Sequence, residues 1–154
     1  MQVFIPYPEP IEVAKCLDKR RLNKQIVEGE QIISAALGYT KAWANHPVVK
    51  MYSDHLEWLR FYIDCLEFYR CGRPDIAKRL SDQANICRPK WMTKTLCNSH
   101  KRRLVAKDAQ FYKKFWVYGI SEINYYVVDN KVLGYAKGKC IITQTLEEFN
   151  NGKA

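Results

Sequence analysis

Glu28 is the carboxylate with the most informative surroundings. The run Lys19-Arg20-Arg21-Leu22-Asn23-Lys24 precedes it. At helical spacing Lys24 lies one turn before it and Arg21 two turns before it, so the three side chains share a face. A carboxylate set among cations can stabilise positive charge that develops on a substrate those cations hold. The same spacing also describes an ordinary i, i+4 ion pair, worth about 0.3–0.5 kcal/mol. Carboxylates also pair at Glu28 with Glu30 and at Asp54 with Glu57, and most such groups are solvated or salt-bridged at the surface. There is no Gly-x-Ser-x-Gly, His-Glu-x-x-His or Walker phosphate loop. Six cysteines stand at 16, 65, 71, 87, 97 and 140 with no Cys-x-x-Cys, beside only three histidines, His46, His55 and His100. They read as free thiols packed as small apolar groups, and no metal site or cofactor is expected.

A second feature is the stretch from Arg88 to Lys114. It holds nine basic residues (Arg88, Lys90, Lys94, Lys101, Arg102, Arg103, Lys107, Lys113, Lys114) and one acid, Asp108. Trp91, Phe111, Tyr112, Phe115 and Trp116 are interleaved with them. Basic groups hold phosphates and aromatic faces stack on bases. The other reading is a solvated helix face whose aromatics point to the core. The whole chain, with 154 residues and a formal charge of +9, leans the same way, toward an acidic partner such as DNA or RNA.

The elements that must position these residues follow from length and pattern. A chain of this size predicts one domain over 1–154, able to bury a core without staples. With 47% hydrophobic and 27% charged residues it is an ordinary folded protein. No apolar run approaches the ~20 residues of a membrane span, and no basic segment followed by an apolar core opens the chain. A cytoplasmic location with no membrane association is the expectation.

Pro6, Pro8 and Pro10 keep the first eight residues extended, and Pro10 fits the first turn of a following helix. Ile11 to Leu37 reads as helical, in two pieces meeting near Leu17-Asp18, with Gly38 as the stop. Val49, Tyr52, Leu56, Leu59, Ile63, Leu66 and Tyr69 or Arg70 form one apolar stripe, predicting a helix capped by Asn45 and ended by Gly72. A short helix is expected around Asp75–Asn85, broken at Arg88-Pro89. A last main helix is expected to start after Asn98-Ser99 and run through the basic stretch. Near the C-terminus, Tyr125 to Leu133 predicts a small hairpin turning at Asp129-Asn130. The fold class is all-α: a compact helical bundle with an extended N-terminal segment and that minor β element.

The chain resembles the pyrimidine-dimer DNA glycosylases, the phage-type endonuclease V family, and more closely their bacterial relatives. The matching stretches are Cys16-Leu17-Asp18 followed ten residues later by Glu28; Gly38-Tyr39-Thr40-Lys41-Ala42-Trp43 leading to Asn45-His46-Pro47; Tyr52 through Tyr69 around Leu56-Glu57-Trp58-Leu59; and Ser99-His100-Lys101 leading to Phe111-Tyr112. Together they cover about residues 1–118 as a helical core, leaving 119–154 as a divergent tail. The opening Met-Gln-Val-Phe-Ile-Pro-Tyr-Pro resembles the bacterial branch. The phage enzymes place arginines beside the first residue and around the glutamate, whereas Gln2, Val27 and Gln31 stand near those points here.

The resemblance implies a compact helical domain whose N-terminal segment threads between helices. It implies a metal-free glycosylase and abasic-site lyase whose nucleophile is the α-amine of the first residue, assisted by a glutamate. These roles fall on Met1, expected to be retained because Gln2 is large, and on Glu28. An α-amine with pKa near 7.7 is neutral in about one molecule in six at pH 7, against roughly one in 2,500 for an ordinary lysine, so a terminal amine needs little tuning to attack C1′ of a deoxyribose. The partner is DNA, duplex in form, with no obligate protein partner. The candidate nucleic-acid contacts are Arg20, Arg21, Lys24, His46, His100, Lys101, Arg102, Arg103 and Lys107. The lesion stays open, and so does a catalytically silent nucleic-acid- or nucleotide-binding protein on the same scaffold.

Overall fold

The computed structural model describes residues 1–116 and 119–152; the division expected after Tyr118 falls on residues outside these. Its most unusual segment is the first. Residues 1–9 form no helix or strand, yet Val3, Phe4 and Ile5 are 1%, 4% and 0% exposed. A buried backbone must find hydrogen-bond partners, and here side chains from three helices supply them. The N–H of Phe4 donates to Gln25 Oε1 (2.7 Å), the Tyr62 hydroxyl donates to the Phe4 carbonyl (2.8 Å), and the N–H of Ile5 donates to His100 Nδ1 (2.9 Å).

Those helices arise as their caps dictate. Pro10 opens α1 (Pro10–Cys16) at its first turn. Asp18 caps α2 (Lys19–Ala36), its carboxylate accepting from Arg21 N. The apolar stripe expected as one helix is two, α3 (Pro47–Tyr52) and α4 (Leu56–Cys71). The break at Ser53–His55 comes from local polar competition: Ser53 Oγ donates back to the Lys50 carbonyl, and His55 turns out of helical geometry at φ −135°. His46, rather than Asn45, caps α3, its Nδ1 accepting from Val48 N at 3.1 Å. Gly72 ends α4 in the left-handed conformation, as its position suggests. The short α5 (Pro74–Asp82) follows.

The basic helix, α6 (Lys94–Lys107), starts well before the expected point after Asn98-Ser99, because Thr93 caps it. Asn98 and Ser99 lie inside it, and Ser99 satisfies its hydroxyl by donating to the Leu96 carbonyl at 2.6 Å. A single turn, α7 (Ala109–Tyr112), comes next.

The all-α expectation needs correction at the C-terminal end. The structure is mostly helical, but the hairpin grows into a three-stranded antiparallel sheet of β1 (Asn124–Val128), β2 (Lys131–Ala136) and β3 (Lys139–Thr145), in the order β1-β2-β3. Asp129 and Asn130 both take positive φ, 49° and 59°, the geometry of a tight two-residue hairpin turn. Lys137-Gly138 repeats that chemistry between β2 and β3. A capping box between Thr145 and Glu148 starts α8 (Leu146–Asn151).

Helices α1 and α2 both pack on α4, while β1 packs against α3 and α6. One apolar cluster extends from Val3 through Leu59, Ile63 and Leu104 to Val132 and Phe149, so the sheet shares the helical core. Only Cys16, Cys65 and Cys97 behave as packed thiols; Cys71, Cys87 and Cys140 are exposed. Among the described residues no helix is long and apolar enough to cross a membrane.

Helices α2 and α4 approach each other closely at Gly29. A β-carbon at Gly29 would stand 2.6 Å from Ile63, which is fully buried and cannot step aside. Gly29→Val is therefore expected to lower stability by about 1–3 kcal/mol through overpacking. Urea unfolding monitored by circular dichroism reads this; an unchanged midpoint contradicts the packing described.

Candidate functional site

The head of the chain and one face of α2 enclose a cleft of about 210 Å³. Met1, Gln2 and Phe4 form one side; Arg20, Arg21, Lys24, Gln25 and Glu28 form the other; Lys107 and Asn124 close the rim. The helical spacing of α2 places Arg21, Lys24, Gln25 and Glu28 on a common face, and the buried path of residues 3–5 brings Met1 to it.

Glu28 keeps only 12% of its side chain exposed. Gln25 Nε2 donates to its Oε2 at 3.1 Å, and Lys24 Nζ stands 3.7 Å from Oε1. The same Gln25 Nε2 donates to the Gln2 carbonyl at 2.8 Å, while its Oε1 accepts from Phe4 N and from the Tyr62 hydroxyl. One buried amide thus ties the chain's first residues to the carboxylate.

The wall behind Met1 comes from the sheet and α3. The Tyr126 hydroxyl donates to the Met1 carbonyl at 2.8 Å. Burial, reinforced by the charge of Glu28, pushes that hydroxyl's pKa up to about 12, so it stays a donor. The His46 ring meets Tyr126 nearly perpendicular, centroids 5.5 Å apart. Burial lowers the pKa of His46, and the ammonium group of residue 1 lowers it further. His46 therefore belongs to the surroundings of the terminal amine, with Nδ1 engaged in capping α3.

The cations form a cluster strong enough to perturb one another. Lys107 has its pKa lowered by burial and then by Arg103, Lys24 and Arg21, with Glu28 opposing. Arg21 is the most engaged: it pairs with Asp18 at 2.8 Å and Asp108 at 3.7 Å and lies over the Tyr112 ring. Arg103 donates to Asn124 Oδ1 at 2.8 Å, which orders the rim. Lys24 and Lys107 line the cleft and are exposed as residues.

Three sequence candidates lie elsewhere. His100 is 1% exposed and accepts from Ile5 N; it supports the N-terminal segment from the interior and has no face to offer a phosphate. Lys101 stands over the Tyr7 ring, beside a separate groove lined by Pro8, Arg88 and Lys94. Arg102 is not among the residues lining the cleft. Conversely, sequence spacing misses Gln25, Asn124 and Tyr126. Gln25 had a signal, lying three residues before Glu28 on the same face; Tyr126 had none, being 125 residues from its partner. Among the described residues no group of three His, Cys, Asp or Glu converges as a metal site.

Residues 1–67 match the model of the family described as pyrimidine dimer DNA glycosylase. The matched stretch contains Met1, Gln25, Glu28 and His46 and stops short of α6 and the sheet. It is also shorter than the resemblance traced on individual residues, which reaches Phe111-Tyr112. No curated protein and no solved structure matches the chain.

Burial pushes the His100 pKa down from 6.5 to about 3. Below pH 6.5 the unfolded chain takes up a proton at this ring that the folded chain refuses, so stability falls as pH drops. The loss is expected at about 1.4 kcal/mol per pH unit, continuing until the pH nears 3. Denaturation midpoints of wild type and His100→Gln across that range check this; equal slopes contradict a neutral, buried His100.

Proposed function

We propose that this chain is a DNA glycosylase with abasic-site lyase activity that works through the α-amine of Met1. The observation that carries the reading is that Met1 and Glu28 line the same cleft, among cations. The family match over residues 1–67 supports the substrate class.

In this reading a damaged or modified nucleotide leaves the base stack, and its sugar enters beside residue 1. The neutral amine attacks C1′ and the glycosidic C–N bond breaks, the base leaving with a proton. Glu28, nearly enclosed and negatively charged, stabilises the oxocarbenium-like charge on the sugar. The amine has given up one proton as the base departs; its second passes through solvent to O4′ as the C1′–O4′ bond opens, leaving a 4′-hydroxyl and an imine between residue 1 and C1′. Removal of a C2′ proton, a task within reach of a carboxylate at this position, expels the 3′ phosphate by β-elimination. Water hydrolyses the imine and releases the enzyme. Tyr126 holds the Met1 carbonyl and Gln25 the Gln2 carbonyl through both stages, and Arg20, Lys24 and Lys107 meet the flanking phosphates.

Borohydride reduction of untagged protein with an abasic duplex is expected to trap a covalent adduct, mapped to residue 1 by peptide mass. Glu28→Gln should keep DNA affinity and turn over about 100-fold more slowly. A protein that binds these duplexes but forms no adduct on any abasic or damaged strand would be a silent binder, and the enzyme reading would fall.

The phosphate contacts have their own readout. Removing Lys24 or Lys107 should weaken binding at all sequences and flatten the dependence of log K on log salt by about 1 per residue. Titrations at several salt concentrations measure this; slopes equal to wild type would move the DNA path off this cleft.

A further inference from the structure

The loop between α2 and α3 holds an exposed tryptophan in an unfavourable backbone conformation. Trp43 has φ +67°, the left-handed region that bulky L residues rarely adopt, and is 53% exposed. The other three tryptophans, Trp58, Trp91 and Trp116, are 3%, 9% and 6% exposed. The loop is ordered by turn hydrogen bonds, His46 N to the Trp43 carbonyl at 2.8 Å and Ala44 N to the Lys41 carbonyl at 3.4 Å. A strained residue held by its surroundings, with a large apolar ring in water, contributes little to the fold and calls for a function.

Position supplies that function. Trp43 meets His46 edge to face, centroids 5.7 Å apart; His46 meets Tyr126 in the same way; and Tyr126 holds Met1. The indole therefore sits two ring contacts from the residue proposed to react with a sugar. Among the described residues no aromatic ring lies flat against it. Residues 38–53 contain Lys41 and Lys50 and no acid, so the loop is compatible with an approaching phosphate chain.

We propose that Trp43 is a stacking platform for a nucleobase of the bound strand, next to the nucleotide whose sugar occupies the cleft. This rests on reading the cleft as a DNA site. The occupant is a base rather than an apolar peptide because the path from the indole to the cleft leads to Lys24 and Lys107, which attract a polyanion. Stacking is tolerant of sequence, so the platform adds affinity and register without choosing the lesion. It also offsets the cost of leaving a neighbouring base unstacked when the target is drawn out.

The test uses a duplex carrying a tetrahydrofuran abasic analogue, which binds without forming an imine. Titration should quench the emission of wild type saturably, because only Trp43 is exposed enough to stack. Trp43→Phe should lose the quenching and keep most of the affinity. Trp43→Gly removes the ring while suiting the positive φ, so its fold is relieved rather than threatened; it should bind roughly 5- to 150-fold more weakly with an unchanged salt slope. Wild-type affinity in Trp43→Gly, or quenching that survives in Trp43→Phe, would overturn the platform. If wild type still gives a borohydride adduct with a true abasic duplex, only the platform falls. Failure of wild type to bind or react with either duplex would remove the cleft reading and the platform together.

Discussion

The arrangement depends on one buried side chain, Gln25. Its amide uses both ends at once, accepting from Phe4 N and Tyr62 and donating to the Gln2 carbonyl and Glu28. A residue with only donors or only acceptors could not do this, since the segment presents a backbone N–H and a carbonyl in alternation. Each bond adds only about 1 kcal/mol, but an orphaned buried partner costs about 1–3 kcal/mol. The amide therefore fixes the register of the first five residues. A slip by one residue would present Gln25 with mismatched backbone groups and carry Met1 away from Glu28.

Around that clamp the electrostatics are asymmetric. One carboxylate, mostly enclosed, faces a group of cations; burial first, and then the neighbouring cations, hold the Lys107 pKa down. Crowding like charges costs stability in the free protein, and a bound polyanion relieves it. Arg21 stands apart because Asp18 and Asp108 already neutralise it; its place is to brace α2 against Tyr112, whose hydroxyl also donates to Asp18 at 2.6 Å. The interior thus anchors the helix while exposed lysines remain available at the opening.

Much of this was legible in the sequence wherever the information is local. The start of α1 at Pro10, the α2 boundary at Asp18 and the left-handed stop at Gly72 are written in single residues. So is the shared face of Arg21, Lys24 and Glu28. The extended head was legible from its prolines, and its threading between helices from the family resemblance. Periodicity alone failed at Ser53–His55, where a side-chain hydrogen bond ends a helix without disturbing the apolar spacing. It failed again at Asn98-Ser99, which look like a cap but sit inside α6 because Thr93 competes better. His100 shows a different limit: the same residue type serves a phosphate or a buried backbone N–H, and only the three-dimensional path of residues 3–5 decides. The third strand was missed because Lys139–Thr145 is mostly exposed and lacks a strong alternating apolar pattern.

The hydroxyl of Tyr126 on the Met1 carbonyl has a consequence for how the molecule comes into being. The head of the chain and α2, both inside the stretch that matches the glycosylase family, are synthesised first and form the two facing sides of the cleft. The remaining side belongs to a strand that leaves the ribosome more than a hundred residues later, so a nascent chain carries its amino group unsupported. An unfinished chain would therefore leave residue 1 without the hydroxyl that orients its carbonyl.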